Sequence, residues 1–264
     1  MELSDIEKLK RTEKKVSNYV SFMEDFFWIL WSANVNLFKN NGPFLSNKKL
    51  ILVFSTDKSF CWNYNNKLFK NIYNEYCDDK WNVDVFCVWK KSFEFFAKKW
   101  FNVVWYLKLS DEFWLGDLSE IYDYLLSSVS NNTYWDVSLY LNMYKNKISS
   151  KTVNYNVYPL EEDSLDLFVN NFWINIAKFS EWVSLWVESD QFKLEMEQQL
   201  MQYMLYWAAL QNKVAELKSR ISTIQNMKNT SEFVVKDLKL SFNRLCQSLL
   251  TREVSSIMDL KTTY

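Results

Sequence analysis

Side chains that could do chemistry are scarce in this chain, or sit where they can do little. Among the 264 residues there is no histidine. Ser–His and Cys–His nucleophile pairs, histidine metal sites and histidine acid–base catalysis are thereby excluded. The four cysteines, Cys61, Cys77, Cys87 and Cys246, form no CxxC pair and no metal-ligand spacing, and they lie in apolar runs. They read as buried free thiols of a reducing compartment. The carboxylate pairs Asp78/Asp79 and Glu161/Glu162 fall in polar stretches and read as solvated loop charges. No GxxxxGKS or GxxxxGKT phosphate loop occurs, even with glycine placed at every tryptophan, and no GxGxxG follows Ser55. No catalytic, cofactor-binding or metal-ligating residue is expected. With 31 Lys and Arg against 32 Asp and Glu, the net charge of -1 argues against a nucleic-acid or anionic-membrane binder.

The elements that must position these residues fall into three regions. Residues 1–39 read as one helix, with bulky or apolar residues at Ile6, Leu9, Val16, Val20, Met23, Phe27 and Leu30. That is a seam of period 3.5, stopped by Asn40-Asn41-Gly42-Pro43. Residues 40–165 read as an α/β domain. Its expected strands are Lys49–Ser55, Val83–Val88, Asn102–Leu107, Val137–Tyr144 and Thr152–Tyr158. Its expected helices are Lys67–Tyr76, Ser92–Lys98 and Leu118–Val129. Strands alternating with helices imply a mainly parallel sheet with helices on both faces.

Residues 166–264 lose the strand signal, and about 190–258 form a nearly unbroken helical pattern. Its seam runs through Leu217, Ile221, Ile224, Val234, Leu238, Phe242, Leu245, Leu249 and Ile257. A helix of about 70 residues spans roughly 105 Å, more than the sheet domain is wide. The expected architecture is an α/β domain inserted between N- and C-terminal helices that form a long antiparallel coiled coil. Crosslinks between cysteines placed near Val20 and on the 238–245 stretch are expected to form in this coiled coil. The charged opening Met1–Asp5 reads as a helix start rather than a signal peptide, and no apolar run reaches the ~18 residues of a membrane span.

The composition holds one anomaly. Glycine occurs 2 times and tryptophan 13 times, where an average chain of this length carries about 18 glycines. Trp62, Trp81, Trp89, Trp100, Trp114 and Trp135 fall beside turns, where a backbone wants positive φ or close approach. The pattern is the one expected if UGA codons that the cell reads as glycine are written as tryptophan.

Several short stretches carry a family likeness. Ser55-Thr56-Asp57-Lys58-Ser59-Phe60-Cys61-Trp62 follows the first strand, and Val88-Trp89-Lys90-Lys91-Ser92 follows the second. Lys99-Trp100-Phe101-Asn102-Val103 opens the third strand, and Leu205-Tyr206-Trp207-Ala208 lies in the long helix. The most diagnostic is Asn243-Arg244-Leu245-Cys246-Gln247-Ser248-Leu249-Leu250-Thr251-Arg252-Glu253 near the C-terminus. In this order, on this architecture, they resemble the gamma subunit of F-type ATP synthase over nearly the whole chain. Trp62, Trp89, Trp100 and Trp207 fall on that family's glycines. Cys246 departs from its usual arginine, and Asp259-Leu260-Lys261 from its small-residue tail.

The resemblance implies a central-stalk rotor that couples ion-driven rotation to ATP synthesis or hydrolysis and is not itself an enzyme. Its implied partners are the alpha and beta subunits of the catalytic hexamer, the epsilon subunit and the membrane c-subunit ring, with no nucleic acid and no cofactor. The implied location is the cytoplasmic side of the plasma membrane, peripherally bound. By the same likeness, Gln247, Thr251, Arg252, Glu253, Lys14 and Lys15 would touch the hexamer, and Ser55, Thr56, Asp57 and Cys61 would form the motif loop. A specialised rotary paralogue, or a coiled-coil adaptor with an unrelated α/β head, is the alternative.

Overall fold

The structure, a computed structural model, describes residues 4, 6–19, 47–144, 150–159 and 190–261. Five strands form one sheet in the order β3-β2-β1-β4-β5: β1 (Lys49–Phe54), β2 (Val83–Val88), β3 (Asn102–Leu107), β4 (Asp136–Tyr144) and β5 (Ser150–Tyr158). β1 pairs in parallel with β2 and β4, and β2 with β3, while β4 and β5 run antiparallel. The sheet is mainly parallel, as its alternating elements require.

β1 shows why a continuous apolar run was needed. Leu50 through Phe54 are each 0% exposed. Successive side chains point to opposite faces, so Leu50, Leu52 and Phe54 enter one core, and Ile51 and Val53 the other. The second core is covered by helices α2 (Trp62–Tyr76) and α3 (Lys90–Lys98), through Leu68, Phe69, Ile72 and Phe96. The first core is covered by α4 (Ser119–Ser130), through Ile121 and Leu125, and by α5 (Asp190–Lys261), through Leu200, Met204, Leu205 and Ala208. Each of the larger of these side chains, withdrawn from water, stabilises by about 1.5–3 kcal/mol.

The strand expectations hold to within two residues at either end. α2 begins at Trp62 rather than Lys67, because Asn63, Asn65 and Asn66 obscure the period carried by Tyr64, Leu68, Phe69 and Ile72. Trp62 therefore opens a helix instead of occupying a turn. α3 begins at Lys90 rather than Ser92.

The chain divides into two compact units, Met1–Arg220 and Ile221–Tyr264. In the first, the described part of the N-terminal helix α1, residues 6–19, lies against α5. The Tyr19 ring meets Tyr203 and Tyr206 at centroid distances of 6.1 and 5.0 Å, and Lys218 pairs with Glu13 at 2.8 Å. As one helix advances the other recedes, so the pair is antiparallel. The contact register matches Tyr19 to 203–206, not to 238–245. A 3.5-residue seam looks the same after every slide of seven residues, and here aromatic contacts decide among the slides. Val20, the 40–43 stop, Glu161/Glu162 and the borders expected at 39/40 and 165/166 lie outside the described residues.

In the second unit the described residues are helical and largely exposed. Leu238, Phe242, Leu245 and Leu249 are 62%, 65%, 64% and 58% exposed.

Candidate functional site

The loop 55–61 leaves the C-terminal end of β1, the central strand, where an α/β sheet places its functional loops. Ser55 and Thr56 are fully buried. Ser55 Oγ lies 2.9 Å from the Val88 carbonyl oxygen and 3.1 Å from Ser92 Oγ, tying the ends of β1 and β2 together. Asn65 clasps Thr56 from both sides. Its Oδ1 accepts the Thr56 N–H at 3.2 Å, and its Nδ2 donates to the Thr56 carbonyl at 2.7 Å.

Asp57 closes α3 from outside that helix. Its carboxylate accepts the N–H groups of Lys90 and Lys91 at 3.1 and 2.9 Å, while the residue at the cap position, Trp89, supplies no side-chain bond. A carboxylate at a helix N-terminus satisfies otherwise orphaned donors and complements the helix dipole. Asp57→Ala is expected to cost about 1 kcal/mol, read as a lower urea midpoint. Asp57→Asn, which keeps an acceptor, should recover most of the loss.

The remaining loop contacts reach α5, within the same unit. Asn212 Nδ2 donates to the Ser55 carbonyl at 2.8 Å, and its Oδ1 accepts from the Tyr64 hydroxyl. Thr56 Oγ1 donates to Glu216 Oε2 at 2.6 Å, and the Cys61 thiol to the Glu216 carbonyl at 3.8 Å. Glu216, only 1% exposed, also accepts from Lys213 Nζ at 2.9 Å. Lys213 continues to Asp111 at 3.2 Å, and Asp111 to Lys58 at 2.7 Å. One turn of α5, 212–216, thus receives polar contacts from the loop, from α2 and from the segment after β3.

Burial, and next the charge of Glu216, push the Cys61 thiol up to about 12. It stays protonated at neutral pH, a donor and not a nucleophile. Burial also opposes ionisation of Asp111, but the hydrogen bonds and charges of Lys58 and Lys213 outweigh it and hold the carboxyl at about 2, against an ordinary 3.8. The folded value is the lower one. Its contribution is therefore complete above pH 3.8 and is lost as the pH falls toward about 2. Asp111→Asn should flatten the acid limb of the stability–pH curve across that window.

A sequence profile of the ATP synthase family matches residues 1–259. The chain belongs to the gamma-subunit family of ATP synthase. It is a central-stalk rotor subunit of the F-type complex. Two solved structures share the fold of this gamma chain. One is a chain from the central stalk and c-ring of the Tetrahymena thermophila mitochondrial ATP synthase, 17% identical, with a TM-score of 0.62; 86% of this chain and 97% of that one are covered. The other is a chain of the Euglena gracilis mitochondrial ATP synthase, 13% identical, with a TM-score of 0.55 and coverages of 99% and 94%.

The residues singled out in the sequence separate into two groups on this gamma chain. Ser55, Thr56, Asp57 and Cys61 come together as described, although Glu216, Lys213, Asn212 and Asp111, which complete their network, gave no signal of their own. Gln247, Thr251, Arg252 and Glu253 are exposed on α5 in the second unit, where Thr251 Oγ1 donates back to the Gln247 carbonyl at 2.8 Å. Lys14 and Lys15 are exposed on the N-terminal helix, and Lys15 Nζ stands 4.9 Å from the centroid of the Trp114 ring. Asp78 and Asp79 are exposed, as solvated loop charges should be.

Proposed function

We propose that this gamma chain turns inside the catalytic hexamer of alpha and beta subunits and carries torque between it and the membrane ring, catalysing no step on its own. One observation supports this above the others: the apolar seam of the second unit is exposed to water, with Leu238, Phe242, Leu245 and Leu249 each more than half exposed. Apolar area of this kind calls for a surrounding partner. A sleeve made of three repeating interfaces would meet a different face of one asymmetric helix at each, and differential contacts are what bias a site between conformations. Gln247, Thr251, Arg252 and Glu253 supply the polar part of that contact, and Lys14 and Lys15 add to it from the N-terminal helix. The sheet-bearing unit joins the epsilon subunit and the c-subunit ring. The chain works peripherally on the cytoplasmic side of the plasma membrane, and no helix among the described residues is long and apolar enough to cross a bilayer.

Purification of the native complex tests the reading. The chain should elute with alpha and beta subunits in a 3:3:1 ratio, and elution as a lone monomer would overturn it. Within that complex, Thr251→Ala combined with Glu253→Ala should lower ATP-driven ion pumping while the sheet-bearing unit keeps its melting profile. Unchanged pumping would reduce both residues to solvated helix surface.

A further inference from the structure

We propose that Glu216 is a positioning residue that fixes the angular setting of α5 on the sheet-bearing unit, so that torque passes through directional polar contacts. This rests on the rotor reading above. The surrounding contacts of α5 with the sheet are made by Leu205, Ala208, Leu210 and similar side chains. Such packing selects which stripe of the helix is buried, but it is itself non-directional. The polar turn 212–216 is different. Thr56 Oγ1 at 2.6 Å, Lys213 Nζ at 2.9 Å and the Cys61 thiol at 3.8 Å all meet Glu216, while Asn212 holds the Ser55 carbonyl at 2.8 Å.

Rotating α5 by even part of a turn would strand these buried groups together. The Glu216–Lys213 pair lies within α5 itself, and it is the bonds from this turn to Thr56, Ser55 and Asp111 that cross to other elements; buried polar groups of this kind are best attested as devices that fix register. In a rotor, the register between helix and sheet is the joint that must not slip.

The test uses the assembled ATP synthase in membrane vesicles. Glu216→Leu with Lys213→Met and Thr56→Val replaces the pair, and the hydroxyl that donates to it, by apolar side chains. The expected result is an assembled complex that still hydrolyses ATP, with a melting midpoint near that of the parent, while ions pumped per ATP fall roughly fivefold or more. Thr56→Val removes one bond of the network and keeps the charge pair, and a smaller loss in the same ratio is expected. Pumping per ATP equal to the parent's, in either assembled variant, overturns the proposal. Failure of the unaltered chain to assemble with alpha and beta subunits would instead overturn the rotor reading.

A separate observation carries a second inference. We infer that positions 89 and 100 hold glycine in the polypeptide the cell makes. Among the described residues, positive φ outside glycine occurs at Phe60, Trp89, Trp100 and Asn132, so two of the four are tryptophans. Trp89, at φ 81 and ψ 148, lies at the border of a region that is essentially reserved for glycine. Trp100, at φ 64, completes a Schellman ending of α3. The Phe101 N–H bonds the Phe96 carbonyl at 3.1 Å, the Trp100 N–H bonds that of Ala97 at 3.2 Å, and the rings of Phe96 and Phe101 stand 5.4 Å apart. Every part of the motif is present except its usual glycine.

The tryptophans at 62, 81, 114, 135 and 207 adopt no positive φ. Among the described tryptophans the backbone therefore favours glycine at two positions. At 89 the buried indole speaks the other way, and only the backbone favours glycine; at 100 the side chain is 83% exposed and nothing opposes it. UGA read as glycine supplies the route. Peptide mass spectrometry of the protein from its own cells should give glycine at both positions, encoded by UGA. Tryptophan mass at either, or a UGG codon there, overturns the inference. In recombinant protein, Trp100→Gly should raise the melting midpoint by about 2–4 °C, and a lowered midpoint would count against it.

Discussion

Glu216→Ala is expected to destabilise the sheet-bearing unit by about 3 kcal/mol, the low end of what breaking a buried pair costs. The reason lies in what is left behind. Lys213 keeps Asp111 at 3.2 Å and so is not wholly stranded, but it loses its buried partner. The Thr56 hydroxyl, fully buried, loses its acceptor, and an unmade hydrogen bond there costs about 1–3 kcal/mol by itself. Glu216→Gln keeps an acceptor in place and should cost less. Urea unfolding checks this: the midpoint should fall with an unchanged slope. A midpoint like the parent's would mean that water reaches and satisfies the turn.

Phe96→Ala should cost more, about 4 kcal/mol. Phe96 is 0% exposed. Its ring is packed edge-on to Phe69, Phe95 and Phe101 at centroid distances of 5.7, 5.2 and 5.4 Å, so three rings lose a neighbour at once. Its carbonyl also anchors the end of α3. The cavity would lie between α3 and the sheet, both parts of the second core, where little can collapse into it. Thermal unfolding should show a correspondingly earlier transition, and a loss below about 1 kcal/mol would mean that the cluster repacks.

Much of the fold was legible, for a simple reason. β1 and β2 are buried on both faces, so their runs are apolar at every position but Lys49 and Asp84 and stand out without any partner in view. The helix pairing was legible as a seam, but its register was not, because a seven-residue repeat fits itself at many offsets and the Tyr19 contacts choose one. The start of α3 was invisible locally, since its cap, Asp57, lies 33 residues upstream of Lys90. The site divides in the same way. Loop 55–61 could be found by its likeness to a family, and its anchor could not. Gln211-Asn212-Lys213-Val214-Ala215-Glu216 reads as an ordinary solvated helix turn, and only the fold shows that Glu216 answers Thr56 across 160 positions.

The exposed seam of the second unit also governs the life of the chain before it has partners. Leu238, Phe242, Leu245, Leu249 and Ile257 follow the sheet-bearing unit in the chain, so a new copy shows them to solvent only after that unit has been made. A copy that finds no sleeve then keeps a sticky apolar helix on display. Surplus copies are therefore expected to clump or be degraded, and the cell's stock of usable rotor should follow how many partner ATP synthase subunits stand ready to receive it. Dosage, in such an assembly, is policed by solubility.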